Sequence, residues 1–134
     1  MAEGKKIKIE KSNSRKGEGT ILIVDDEISI RRVLQEFLNL KGFDTHGASS
    51  AGTGLEILNK IRVDLVITNI CMPGMDGLEF TRLIKATYDS DVIIMTGYHS
   101  YSCEEALRID ASDLLHKPVK LEDLLKSINR VLNK

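Results

Sequence analysis

The sequence predicts an α/β fold, a five-stranded parallel sheet wound with helices on both faces, and three observations carry that prediction. From Thr20 onward, short apolar runs alternate five times with longer segments of helical period, the signature of successive βαβ units. Three of the runs are β-branched and almost wholly apolar, as strands covered on both faces must be. The polar residues that interrupt the pattern gather at the carboxyl ends of the expected strands.

The elements follow in order. A first strand, Thr20 to Val24, precedes a helix whose apolar positions Ile30, Val33, Leu34, Phe37 and Leu38 recur at i, i+3, i+4, i+7 and i+8, the spacing of one helix face. Phe43 to Ala48 is a second and weaker strand. Ser49-Ser50 then supplies a capping oxygen for a helix marked by Ala51, Leu55 and Leu58. Asp64 to Thr68 is the third strand, with Phe80, Leu83 and Ile84 on the helix after it. Asp91 to Thr96 is the fourth, followed by a helix through Cys103, Ala106 and Leu107. A short fifth strand, Asp113 to His116, leads to a last helix with Leu121, Leu124, Leu125 and Ile128 on one face. Crossovers between parallel strands are nearly always right-handed, so five such pairs close into a doubly wound, three-layered sandwich.

The chain of 134 residues suits one domain with a tail. The hydrophobic share of 42% and charged share of 29% are those of a soluble globular protein, and no apolar run approaches the roughly 20 residues of a membrane helix. The first residues lack the apolar core of a signal peptide, so a cytoplasmic location is expected. Residues 1–19 read as a flexible basic extension or leader and residues 20–134 as the domain. Residues 1–20 carry Lys5, Lys6, Lys8, Lys11, Arg15 and Lys16 against Glu3, Glu10 and Glu18, a net charge of +3, leaving −4 for the remainder. Cys71 and Cys103 show no metal or redox spacing and read as reduced thiols. Without a nucleic-acid motif or a membrane span, neither partner is expected for the domain itself.

In open α/β sheets the ligand crevice lies beyond the carboxyl ends of the strands, where strand order reverses. Asp25-Asp26-Glu27 follow the first strand, Asn69 the third, Thr96 ends the fourth, and Lys117-Pro118 follow the fifth. Carboxylates and carbonyls suit Mg²⁺, whereas lysine and a hydroxyl suit phosphate oxygens. Singly, each residue has a plainer reading: acids in a helix's first turn favour the macrodipole, Thr96 fits a strand, and Met72-Pro73-Gly74 is ordinary turn chemistry. Those readings do not explain why the polar residues share one end of the sheet. His46, His99 and His116 are assigned no role.

Four motifs in register, ILIVDDE at 21–27, DLVITN followed by Met72-Pro73-Gly74-Met75-Asp76-Gly77, VIIMTG at 92–97 and HKP at 116–118, give a chain that resembles the receiver domains of two-component response regulators. The resemblance runs from about Thr20 to Asn133 and implies a flavodoxin-like (βα)5 fold. It implies that Asp25, Asp26 and the backbone carbonyl of Cys71 hold Mg²⁺, with the position 69 side chain beside them. Lys117 would contact phosphoryl oxygens, Thr96 would be the switch hydroxyl, and Lys117-Pro118 a cis peptide bond. Position 69 would be the aspartate phosphorylated by a histidine kinase or phosphotransfer protein. Receivers often carry an aromatic residue three before the lysine. Here that position is Leu114, with Tyr98 a partial substitute. The face of the fourth helix, fifth strand and fifth helix, with Glu104, Glu105, Arg108, Glu122 and Lys126, would meet an output domain or a second copy.

Position 69 is asparagine. An amide nitrogen delocalised into its carbonyl does not attack phosphorus, so the phosphoacceptor is inactive. One fewer carboxylate weakens Mg²⁺ binding and relieves repulsion among the acids. The retained Asp25, Asp26, Thr96, Lys117 and Pro118 favour an engineered substitution over a natural pseudo-receiver working as a phosphorylation-independent interaction module. Either way the domain is a signalling module with no enzymatic activity expected. A flavin- or nucleotide-binding sheet protein would place a glycine- or hydroxyl-rich phosphate loop where Asp25-Asp26-Glu27 stand, and a hydrolase would need the missing aspartate.

Overall fold

The computed structural model describes residues 19–97 and 110–133. Five parallel strands, β1 (Thr20–Val24), β2 (Asp44–Ala48), β3 (Leu65–Asn69), β4 (Asp91–Thr96) and β5 (Asp113–His116), pair in the order β2-β1-β3-β4-β5. Helices α1 (Ile28–Leu40), α2 (Ala51–Leu58) and α3 (Gly77–Thr87) follow the first three strands, and a C-terminal helix (Leu121–Leu132) follows β5. The expected doubly wound sheet is therefore present. The helix expected around Cys103, Ala106 and Leu107 lies outside the described residues, as does Tyr98.

Side-chain alternation along the strands sorts the core into two layers. On β1, Ile21 and Ile23 face α1 and the C-terminal helix, packing with Leu34, Leu38, Leu124 and Ile128. Leu22 and Val24 face the opposite way, into a cluster with Leu58 of α2 and Phe80 and Ile84 of α3. Leu65, Val66 and Ile67 of β3 have no exposed surface, so both faces of the central strand are covered, which is why these three successive residues are all apolar. Each such side chain withdrawn from water stabilises the fold by about 1.5–3 kcal/mol.

Local chemistry sets the helix ends. The Ser50 hydroxyl accepts the Thr53 N–H at 3.2 Å and the Asp76 carboxylate accepts the Glu79 N–H at 2.9 Å, each satisfying a donor with no partner inside its helix. Gly42, with φ +99°, turns the chain out of α1. Two expectations about α1 and β3 change. Val33, placed on the buried helix face by its spacing, is 52% exposed, because the apolar stripe is wider than the sheet that α1 covers. Asn69, expected just beyond the third strand, is its last residue, pairing with Met95 of β4.

Gly77 opens α3 against the end of β3. Its N–H donates to the Ile70 carbonyl at 2.8 Å, and a Cβ there would lie 2.3 Å from the Asn69 carbonyl oxygen and 2.8 Å from the Ile70 Cα. Gly77→Ala is expected to destabilise the domain by about 2–3 kcal/mol. Gly52→Ala, on the exposed side of α2 with only Ser50 Oγ within 4 Å, should stabilise it by about 0.5–1 kcal/mol. Urea melts showing the same sign for both would contradict this account of Gly77.

Candidate functional site

Strand β1 lies between β2 and β3, and the chain leaving β1 enters a helix on one face of the sheet while the chain leaving β3 enters one on the other. The two departures leave a crevice at the carboxyl ends of β1 and β3. Register then fixes who lines it. Val24 pairs with Thr68, so Asp25 and Asn69 come next side by side; Asn69 pairs with Met95, one residue before Thr96; and Thr96 pairs with His116, one before Lys117. The four site residues thus fall within about two residues' rise, roughly 7 Å, along the strand direction.

Burial and hydrogen bonds give this row its electrostatics. Asp25 has no exposed surface and Thr96 none, while Asn69 is 8% exposed. Lys117 Nζ donates to Asp25 Oδ2 at 3.2 Å, spanning 92 residues of sequence. The Glu27 N–H donates to Asp25 Oδ1 at 3.0 Å, and Arg31 Nη1 of α1 donates to the Asp25 carbonyl at 2.8 Å. The Lys117-Pro118 bond is cis. Asp26 is exposed beside its buried neighbour. Asn69 Nδ2 donates to the Cys71 carbonyl at 3.0 Å, while the Cys71 side chain is exposed. Leu114 is buried in the layer with Phe80 and Ile84, its N–H taken by the Asp113 carboxylate.

Among the described residues no three His, Cys, Asp or Glu side chains converge on one point. As arranged, the donor set does not suit a divalent ion. The Cys71 carbonyl accepts an amide N–H and Asp25 accepts an ammonium, so two of the oxygens a cation would use are already engaged, and one carboxylate fewer at position 69 lowers the ligand charge.

Sequence reasoning missed two features. The Asn69 to Cys71 bond depends on how the chain turns after β3, which no spacing reveals. An open groove of about 620 Å³ runs beside Lys117 between α1 and the loop after β5. Its wall includes Ile30, Val33, Pro118, Val119 and Leu121. The sequence carried no signal for it, since Val33 and Ile30 read there as positions on a buried helix face.

Residues 21–129 match the family model of the response regulator receiver domain. The chain belongs to that family. This receiver domain is 39% identical over 114 residues to the regulatory protein AtoC of Escherichia coli, covering 84% of the chain and 25% of that protein. It is 34% identical to sporulation initiation phosphotransferase F of Bacillus subtilis, covering 84% of the chain and 92% of that protein. A response regulator receiver domain from Clostridium thermocellum superposes with a TM-score of 0.77 at 35% identity, over 86% of this chain and 94% of that one. The chemotaxis response regulator CheY4 of Vibrio cholerae does so with a TM-score of 0.78 at 30% identity, over 85% and 98%. Two-component signalling is the family's work, and receiver domains generally bind Mg²⁺ at such an acidic pocket.

Removing the ammonium tests the ion pair at the centre of the site. Lys117→Met leaves the Asp25 carboxylate buried without its partner and should cost about 3–5 kcal/mol in a chemical melt. The double variant Asp25→Asn with Lys117→Met should recover most of that loss, since an apolar or neutral pair leaves no charge stranded. Strictly additive losses would show that the two side chains do not interact.

Proposed function

We propose that this chain is the non-accepting form of a phosphorelay receiver. In the parent domain an aspartate at position 69 takes a phosphoryl group from a histidine kinase or phosphotransfer protein. The observation that carries the reading is the place of Asn69: buried at the end of β3, level with Asp25 after β1 and one residue short of Thr96 on β4. An aspartate there would have Lys117 within the same row to meet phosphoryl oxygens and Thr96 beside it as the switch hydroxyl. Asp25, Asp26 and the Cys71 carbonyl, with the side chain at position 69, would hold Mg²⁺ in that parent. The cation neutralises oxygen charge at the phosphoryl group when it is bound. With Asn69 the carboxylate nucleophile is gone and the affinity for Mg²⁺ falls.

The completeness of the remaining apparatus supports an engineered substitution rather than a natural pseudo-receiver. A domain freed from phosphorylation has no need of phosphate chemistry, yet Asp25, Asp26, Thr96, Lys117 and Pro118 are all present together. Partner docking is supported by the groove along α1, whose apolar wall opens next to the site. The surface of the fifth strand and C-terminal helix, with Glu122 and Lys126 exposed, is the proposed contact for an output domain or a second copy. The basic residues before Thr20 belong, in this reading, to an extension or leader outside the domain. No helix among the described residues is long and apolar enough to cross a membrane, and a cytoplasmic location fits an intracellular kinase partner.

Asn69→Asp, incubated with acetyl phosphate and Mg²⁺, should gain one phosphoryl mass on the peptide containing position 69, and the unaltered chain none. Failure of the aspartate form to gain it would end the relay reading. A histidine kinase that phosphorylates Asn69→Asp should do so at least about tenfold more slowly when Val33→Asp is added, the loss expected for one central apolar contact. An equal rate would move the docking surface elsewhere.

A further inference from the structure

We propose that the side-chain amide of Asn69 takes the structural place of a divalent cation, so that this pocket is closed and stable with no metal ion. The inference rests on reading the pocket as a receiver site and goes beyond the loss of phosphorylation.

A receiver pocket without metal is a set of facing acceptors. An aspartate at 69 would set a carboxylate oxygen against the Cys71 carbonyl oxygen, and two acceptors at hydrogen-bond distance repel unless a cation or proton lies between them. Asparagine resolves that conflict from within. Its Nδ2 lies 3.0 Å from the Cys71 carbonyl, and because a carbonyl only accepts, the nitrogen rather than the oxygen of the amide must face it. The amide side of the bond is withdrawn from water, with Asn69 8% exposed, so its loss would leave a buried N–H unpaired.

The Asp25 carboxylate is answered in the same way. Asp25 receives Lys117 Nζ on one oxygen and the Glu27 N–H on the other. Of the three acceptors that a bound cation would use, the Cys71 carbonyl and the Asp25 carboxylate are therefore already met by N–H donors of the chain, and the third, Asp26, is exposed to water. The segment between β3 and α3 is fastened on either side of the amide bond as well. The Ile70 N–H donates to the Met95 carbonyl at 3.2 Å and the Gly77 N–H to the Ile70 carbonyl at 2.8 Å. A divalent ion entering this arrangement would have to displace the amide from Cys71 and the ammonium from Asp25. The gain from the ion is thus offset at both places. The loop after β3 then holds one shape whether or not metal or phosphoryl donor is present.

The test is a set of thermal melts of the full chain in EDTA and in millimolar MgCl₂, with Asn69→Asp and Asn69→Ala alongside. The unaltered chain is expected to melt at one temperature in both. Asn69→Asp should melt lower than the unaltered chain in EDTA and rise with MgCl₂. Asn69→Ala should melt about 3–6 °C below the unaltered chain, the equivalent of one hydrogen bond, with no response to MgCl₂. A readout independent of stability comes from ¹⁵N-labelled protein. One Asn69 Nδ2 proton should exchange slowly with solvent in EDTA and keep its chemical shift when MgCl₂ is added. The proposal is overturned if MgCl₂ raises the melting temperature of the unaltered chain as much as that of Asn69→Asp, or if both Nδ2 protons exchange freely. An Asn69→Asp chain that neither responds to MgCl₂ nor takes phosphoryl from acetyl phosphate overturns the receiver site itself. One that does both, beside an unaltered chain equally responsive to MgCl₂, removes the amide inference alone.

Discussion

Burying a carboxylate with no exposed surface costs several kcal/mol unless a cation and further donors meet it, and at Asp25 all of them arrive from elsewhere in the chain. Lys117 comes from the far end of the sequence, the Glu27 N–H from the turn into α1, and Arg31 holds the adjoining carbonyl. The pair can form only if β1 and β5 belong to one parallel sheet in the observed order, since β3 and β4 lie between them. Fold and site therefore constrain each other. The sheet brings the lysine to the carboxylate, and the carboxylate gives the lysine a reason to point inward rather than into solvent.

Much of this was legible because parallel, doubly covered strands leave a strong mark. The runs through β1 and β4 were located with their observed bounds, since β-branched apolar residues end there at an aspartate or a glycine. Phe43 was counted into β2 because it is apolar. It is buried, but its N–H is spent on the Leu38 carbonyl at the end of α1, so it belongs to the turn. Val33 and Leu83 matched a helical period yet are exposed, because periodicity reports which face is apolar and not how far the neighbouring layer extends. The convergence of Asp25, Asn69, Thr96 and Lys117 followed from the fold rule alone. Which acceptor each donor chooses depends on rotamers and loop path, and so the Asn69 to Cys71 bond was invisible until the chain had coordinates.

The asparagine removes more than a nucleophile. A two-state domain responds only to something with different free energy of interaction in its two states, and in a receiver the phosphoryl group is the chemical input at the carboxyl end of β3. With an amide there, bonded to the carbonyl two residues on, the proposed reading leaves the domain without that input. In the proposed reading any remaining bias comes from a partner protein. The chain spans 25% of AtoC and 14% of the sensor kinase CckA of Brucella abortus, but 92% of sporulation initiation phosphotransferase F. The same domain thus works in very different protein contexts, and what lies downstream of such a bias is a property of those contexts rather than of the pocket.

Cys71 and Asn69 illustrate why a single change at this site is so uneven in its effect. Cys71 contributes a backbone carbonyl while its side chain is exposed, so the pocket is indifferent to which side chain stands there as long as the backbone follows the same path. That path is held by Gly77, whose missing Cβ lets α3 approach the Asn69 carbonyl. Position 69 contributes through its side chain, and exchanging a carboxylate oxygen for an amide nitrogen turns an acceptor into a donor with almost no change of shape. The fold cannot register such a substitution by packing. It registers only in the direction of one hydrogen bond and in the charge of the pocket, and those are the quantities on which both phosphoryl transfer and cation binding depend.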